Sequence, residues 1–399
     1  MKSEGCQFLI AGGGIIGLTV ARELLLRGAT DIVVLEKEDT PGRHASGRNS
    51  GILHAGIYYS SDSLKAKYCV DGNRLMKEYC RQKGLALLES GKVIVAKDEA
   101  ELGRLHQLKA RADLNGAQAS LIGQKELTNL EPHARTCQEA LYAPETAVVD
   151  PLQILQSIDQ DLTQSGKVRI LYNTAFLELK NRGLAMTSQG SISFERFINT
   201  AGTFADRIAH HFGIGKDYRI LPFKGTYKRL ALQRSYLVRG NIYPVPDLRN
   251  PFLGVHFSRK VDGHVYIGPT AIPAFGRENY EMLPRHPGEA CSILYRDAVL
   301  WLMNPAFRSK AFSEMKKYSR EVVFHEAQNL VPELKLDDVE DSDKVGIRAQ
   351  LVHWPKKVLV MDFVVLKQND SVHVLNAVSP AFTSSMAFAK HIADLAEAA

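Results

Sequence analysis

Three glycines and an acid carry the clearest chemistry in this chain. Gly12, Gly14 and Gly17 stand in Gly-x-Gly-x-x-Gly spacing, and Glu36 comes nineteen residues beyond the last of them. That combination holds a dinucleotide by its ADP half. Gly12 permits a tight turn, Gly14 lets a pyrophosphate approach the backbone, Gly17 lets a helix pack close to a strand, and Glu36 accepts hydrogen bonds from ribose hydroxyls. An acid at that place argues against a 2′-phosphate, and so against NADP, while leaving NAD and FAD open.

These residues need a strand, a helix and a second strand to position them, and the flanking sequence supplies all three. Phe8-Leu9-Ile10-Ala11 reads as a buried strand. Ile15 and Ile16 lie in the turn into the helix, where Leu18, Ala21 and Leu25 make an apolar face that Gly28 ends. Asp31 to Leu35 is the second strand, and Glu36 closes it. The pyrophosphate is then expected on the helix N-terminus.

The segment after Glu36 separates FAD from NAD. Residues 37–51 are small, polar and glycine-rich, suited to wrapping a second phosphate and a ribityl chain, where a simple NAD domain would continue into its next helix. Two distant segments complete the cradle. Phe197 to Gly202 is a strand running into a small-residue turn, with Asp206 four residues on. His373 to Asn376 leads to Ser379 and Pro380, read as N-cap and first helical residue of an Ala-rich helix whose dipole favours negative charge on a reduced flavin.

Apolar-strand-then-helix patterns occur at Gln7 to Gly28, Phe194 to His211 and Val372 to Ala399, with shorter alternating runs of antiparallel texture between them, notably Tyr218 to Tyr266. The expected fold class is therefore α/β combined with α+β. A Rossmann-like FAD-binding domain is assembled from the discontinuous segments 1–85, 146–215 and 339–399, and an antiparallel-sheet substrate domain is inserted as 86–145 and 216–338. At 399 residues, 45% hydrophobic and 24% charged, the composition suits a soluble two-domain protein. No run approaches the ~20 apolar residues of a membrane span, so the expected location is cytoplasmic, with peripheral contact at the inner face of the membrane left open. The net charge of +6 is spread along the chain, no basic stripe supports nucleic-acid binding, and Arg308 to Lys317 reads as a solvated helix face. Five scattered cysteines give neither a disulfide framework nor a zinc site, and no metal is expected.

Longer strings now carry a resemblance: Gly47-Arg48-Asn49-Ser50-Gly51-Ile52-Leu53-His54-Ala55-Gly56-Ile57-Tyr58-Tyr59, Ser63 to Lys67, Ser90 to Val93, Tyr243 to Asp247, Pro251 to Phe257, Gly346 to Gln350 and Ser379 to Ser385. Through them the chain resembles, from Phe8 to Asp394, the FAD-dependent oxidoreductases of the D-amino-acid oxidase superfamily, and within it the L-2-hydroxyglutarate oxidase/dehydrogenase family. The resemblance implies FAD, a large β-sheet over the flavin, and oxidation of L-2-hydroxyglutarate to 2-oxoglutarate with electrons passing to oxygen or a quinone. The chain departs from the family pattern at Lys224, Thr226, Lys228, Val378 and His353-Trp354-Pro355. An amino-acid oxidase of the same superfamily, and a non-catalytic flavin-binding subunit, stand as the alternatives.

Oxidising a 2-hydroxy acid requires a base for the hydroxyl proton, cations for carboxylates and a dry pocket. His54 is the first choice for the base, with packing on the flavin as its competing role, and His256 is the runner-up. Arg348 is assigned to the substrate carboxylate, which its planar fork suits. Tyr59, Lys224, Tyr227 and Arg259 are candidates for a second carboxylate. The expected cofactor contacts are Gly12, Gly14, Ile15, Ile16, Gly17, Glu36, Lys37, His44, Ser46, Asn49, Ser50, Gly51, Phe176, Ala201, Gly202, Asp206, Ser379, Pro380, Ala381 and Thr383.

Overall fold

A strand buried on both faces must be apolar along its whole length, and Phe8, Leu9, Ile10 and Ala11 are all buried in the first strand, Glu4–Ala11. The computed structural model, which describes residues 4–247, 254–317 and 319–398, pairs this strand in parallel with Ile32–Leu35 on one side and Gly190–Asn199 on the other. Register then fixes the cofactor edge. Ala11 lies opposite both Leu35 and Asn199, so Gly12, Glu36 and Thr200 emerge together at the carboxyl ends of three adjacent strands. Ligands of open α/β sheets bind at that edge. Val168–Leu171 extends the sheet beside Ile32–Leu35, and Ser371–Asn376 joins beside Gly190–Asn199.

Helices Ile15–Leu26, Leu64–Lys83, Pro151–Gln164 and Ala381–Glu397 share one apolar core with this sheet, in which Leu18, Leu24, Met76, Leu155 and Phe388 are fully buried. Two of them touch backbone to backbone. A Cβ on Gly72 would lie 2.4 Å from the Thr383 carbonyl oxygen, so the absence of a side chain there lets Leu64–Lys83 settle against the start of the last helix. That helix runs from Ala381, with Pro380 at its N-cap position and no side-chain cap. The expected Ser379 cap with Pro380 as first helical residue is therefore one residue early: Ser384 N–H donates to Pro380 O, and Ser379 stays outside the helix.

The second sheet crosses over this layer. Its longest pair, Tyr218–Leu230 and Val339–His353, is antiparallel and lies near one edge, and Val265–Gly268, His256–Arg259 and Asn241–Pro244 come next in order. Lys92–Val95 joins in parallel to Asn241–Pro244, and Glu139–Ala143 and Ser120–Gly123 complete the edge. The segment from 339, expected with the nucleotide-binding part, instead spends its first fifteen residues in this sheet. Sequence alternation marks a strand but does not name its partner. The string Pro251 to Leu253 lies outside the described residues.

Arg308 to Lys317 is also not a uniformly solvated face. Its first part lies in helix Pro305–Lys316, but Lys317 and Glu314 are buried against each other at 2.9 Å, and Glu314 accepts from Ala271 N–H at 3.0 Å. Cys6, Cys69 and Cys80 are buried free thiols, whereas Cys291 is exposed. No helix among the described residues is long and apolar enough to cross a membrane.

Candidate active site

At the carboxyl edge of the first sheet the motif glycines do steric work. Gly12 has φ +108°, and a Cβ there would lie 2.6 Å from Thr200 O; a Cβ on Gly17 would lie 1.9 Å from Gly12 O. Neither position has room for a side chain. Gly13 N–H donates to Glu36 Oε2 at 3.0 Å, and Ile15 N–H at the helix start donates to Ser46 Oγ at 2.9 Å. Burial pushes the Glu36 carboxyl above its usual range, against backbone donation from Glu38 and Gly13. Gly12, Gly14, Glu36, Ser46 and Thr200, with Phe176, Ala201 and Gly202, line a cleft of about 360 Å³, while Ile15 lines the neighbouring cavity.

At its outer end Lys37 Nζ meets Glu38, Glu278 and His44, the last at 2.7 Å. The hydrogen bond from Lys37 holds the Glu38 carboxyl down at about 2. His44 lines the cleft with Nδ1 on Tyr280 Oη at 2.8 Å and Nε2 on Glu38 at 2.8 Å. Glu38, His44 and Glu278 converge as a metal site would, but the Lys37 ammonium already supplies the cation among them.

The cleft opens into a larger cavity of about 590 Å³, and Ala45, Ser46, Gly202, Thr203 and Ile347 line both. The cavity lies between the sheets. The loop after Ile52–Leu53 brings His54, Tyr58 and Tyr59; the second sheet brings Tyr227, Tyr243, His256 and Arg348; the start of the last helix brings Ser379 to Thr383. Asn49 and Ser50 face this cavity rather than the nucleotide cleft.

His54 is held by its backbone. Its N–H donates to Thr383 Oγ1 at 3.0 Å, and its carbonyl accepts from Asn73 Nδ2 at 3.1 Å. The ring is buried with Nε2 3.4 Å from Ser379 Oγ, while Nδ1 has no hydrogen-bond partner. Burial, then the charges of Lys92 and His256, hold this imidazole well below its ordinary pKa, so it is neutral across the working pH range. His256 stacks on Tyr243 at 3.8 Å between ring centroids, with Nδ1 on Gly254 O at 2.9 Å. Burial pulls it down to about 3. Arg348 donates from Nε to Gln350 Oε1 at 3.2 Å; burial lowers it only to about 10, which leaves the guanidinium charged.

Several expected site residues stand elsewhere. Phe223, Gly225 and Tyr227 line the cavity from one strand, so Lys224 between them points to the other face, where Nζ donates to Glu281 O. Arg259 lies three residues from His256 on a strand, hence on the opposite face, and its Nη1 donates to the Ser235 and Val238 carbonyls at 3.0 and 2.8 Å. Asp206 is buried in an ion pair with Arg277 at 2.6 Å and accepts from Ile220 N–H at 2.9 Å. Burial raises its carboxyl, but the Arg277 hydrogen bonds outweigh it and hold it below its usual range. Asp206 therefore ties helix Ala205–His211 to the second sheet and to Arg277 instead of meeting a cofactor. Ile16 belongs to the core, and Gly17 and Gly51 serve close backbone packing, Gly51 against Val149 O.

Among the cavity residues not singled out as site candidates, Arg48, Tyr58, Lys65 and Tyr243 lie in the strings that carry the family resemblance. The signal for Lys65 was a lysine just after a Ser cap, where the positive helix end disfavours it.

A parallel-strand carboxyl edge with a glycine cradle, joined to a cavity lined by two neutral histidines and an arginine, defines a flavin oxidoreductase. The cradle that no Cβ could enter, and the orphaned His54 Nδ1 in the adjoining cavity, fit a flavin dinucleotide spanning both spaces. The chain belongs to the FAD dependent oxidoreductase family, whose model matches residues 7–395. Within it, the chain is 38% identical to the mitochondrial L-2-hydroxyglutarate dehydrogenase of Bos taurus, over 98% of this chain and 89% of that one. It is 34% identical to the L-2-hydroxyglutarate dehydrogenase of Escherichia coli (strain K12), over 97% and 92%. Among solved structures, FAD-bound L-alpha-glycerophosphate oxidase from Mycoplasma pneumoniae matches with TM-score 0.77 at 22% identity, covering 99% of this chain and 96% of that one. Glycine oxidase from Geobacillus kaustophilus matches with TM-score 0.70 at 18% identity, over 99% and 95%. These two share the fold.

Proposed function

We propose that the protein oxidises L-2-hydroxyglutarate to 2-oxoglutarate. The observation that carries this reading is the meeting of His54, with a free buried nitrogen, and Arg348 in one cavity continuous with the nucleotide cleft. Identity of 34–38% to L-2-hydroxyglutarate dehydrogenases over nearly the whole chain supports the substrate.

Bound FAD supplies the two-electron acceptor for the hydride leaving C2. The protein's own groups do the rest. Neutral His54 takes the hydroxyl proton, Arg348 grips the carboxylate beside the reacting carbon, and the apolar ring faces of Tyr58, Tyr243 and His256 exclude water. The positive end of helix Ala381–Glu397 faces the same space and favours anions there. His256, with Nδ1 committed to Gly254 O, keeps Nε2 as an acceptor and is the alternative base. Oxygen or a quinone would serve as the final electron acceptor once FAD is bound.

Turnover of purified holoprotein with an artificial dye acceptor tests the reading. Formation of 2-oxoglutarate from L-2-hydroxyglutarate, with L-glutamate inert, is expected; oxidation of glutamate in preference to the hydroxy acid would replace this reading with an amino-acid oxidase.

A further inference from the structure

Lys65 is the second residue of helix Leu64–Lys83, whose Ser63 cap accepts from Ala66 N–H at 3.1 Å. The Asp362 carboxylate holds the same helix end, accepting from Leu64 and Lys65 N–H at 2.8 and 3.0 Å. The Lys65 side chain is only 6% exposed, yet it lines the cavity that contains Arg348. Among the described residues its Nζ has neither a hydrogen-bond partner nor a carboxylate within ion-pair distance. The Tyr59 and Phe363 rings flank it at 5.9 and 5.8 Å.

Three features of this position oppose a positive charge. The group is buried, it sits at the positive end of a helix, and the Arg348 guanidinium faces the same cavity. Burial first, then Arg348, lowers the ammonium to about 7, and Asp362 offsets this only in part. The fold treats its structural lysines differently. Lys77, on the same helix, is buried against Glu145 at 2.6 Å, and Lys317 against Glu314 at 2.9 Å. Lys92, whose Nζ has no hydrogen-bond partner, lies over the Tyr58 and Tyr243 rings at 4.3 and 5.0 Å and does not line the cavity. Lys65 therefore combines burial, missing partner and access to the substrate space.

We infer that Lys65 receives the second carboxylate of the substrate, the first being held by Arg348, and makes the site selective for dicarboxylates. This rests on the hydroxy-acid reading above. Lys224 and Arg259 are turned to other faces, and of the other cations lining the cavity Arg48 donates to the Arg43 and Val345 carbonyls and Arg111 to the Tyr58 carbonyl, which leaves Lys65 to complete an anion clamp with Arg348.

Calorimetric binding of glutarate and butyrate to FAD-loaded protein tests it, because both lack the reacting hydroxyl and differ in the second carboxylate. Wild type binds glutarate more tightly. Lys65→Met, which keeps the apolar stem, weakens glutarate by roughly 10- to 100-fold, as loss of a charge-assisted hydrogen bond does, and shifts butyrate by only a few-fold. Lys65→Arg restores most of the selectivity. Equal weakening of both ligands, no weakening of either, or a wild type that does not prefer glutarate would each overturn the assignment. The hydroxy-acid reading fails separately, by absent turnover of L-2-hydroxyglutarate in the wild type.

Discussion

The nucleotide cleft and the cavity beyond it are built by different means. In the cleft, backbone does most of the holding: Gly12 and Gly17 leave no room for a side chain, Gly13 and Ile15 offer amides to Glu36 and Ser46, and neighbouring parallel strands bring these groups to one edge. In the cavity, the proposed chemistry uses side chains from a loop, a helix start and three separate strands: His54, Lys65, Tyr227, His256 and Arg348. A backbone site tolerates side-chain change poorly wherever a Cβ collides. A side-chain site fails by degrees, one interaction at a time.

The strongest break falls in the cleft. Gly17→Val places a branched side chain where even a Cβ lies 1.9 Å from Gly12 O, so helix and strand must part. Protein that is either insoluble or recovered without visible flavin absorbance is expected; a yellow, folded variant with wild-type flavin content would remove the steric account.

Next in size are the histidines. His54→Gln lowers the rate of substrate oxidation by about 10²- to 10⁴-fold while the protein keeps its flavin, the range ordinary for loss of a general base. If His256→Gln shows the larger drop in stopped-flow flavin reduction, the roles of the two rings are exchanged.

A smaller, graded effect sharpens the contrast further. Lys65 is faced by Arg348 from the second sheet, by Asp362 from the segment between Leu359 and Val364, by Cys69 on its own helix and by the Tyr59 and Phe363 rings. In the free site its ammonium loses its proton near pH 7, and a carboxylate binds the protonated form. The glutarate Kd is therefore flat below about pH 7 and rises by up to about tenfold per pH unit above it, and butyrate does not share this rise. Parallel pH profiles for the two ligands would contradict this.

The smallest effects belong to the cations that face elsewhere. Lys224→Met and Arg259→Met leave kcat/KM within about threefold; Arg259→Met lowers stability by about 1 kcal/mol through two lost carbonyl contacts, measured by urea unfolding. A hundredfold loss of kcat/KM in either would place that residue in the cavity after all.

The same difference explains what could be read from the sequence. The glycine turn, Glu36 at the end of its strand and the discontinuous nucleotide-binding sheet are local patterns, visible in short windows. Lys224 and Arg259 were misplaced because facing is decided by strand alternation relative to neighbours that the sequence does not name: one step from Phe223 or three from His256 reverses the face. Asp206 comes after a small-residue turn as a cofactor ligand would, but its partner Arg277 lies seventy-one residues away. Lys65 was passed over since a lysine near a helix start is ordinarily solvated, and only its burial beside Arg348 makes it unusual.

The proposed function requires cleft and cavity to act as one site, with a cofactor held in the first reaching the substrate in the second. Anaerobic mixing of the FAD-loaded protein with L-2-hydroxyglutarate tests this central claim most directly. Full bleaching of the flavin absorbance, with one 2-oxoglutarate formed per flavin, is expected, and neither D-2-hydroxyglutarate nor L-glutamate matches it. A flavin that stays oxidised with L-2-hydroxyglutarate would contradict the claim.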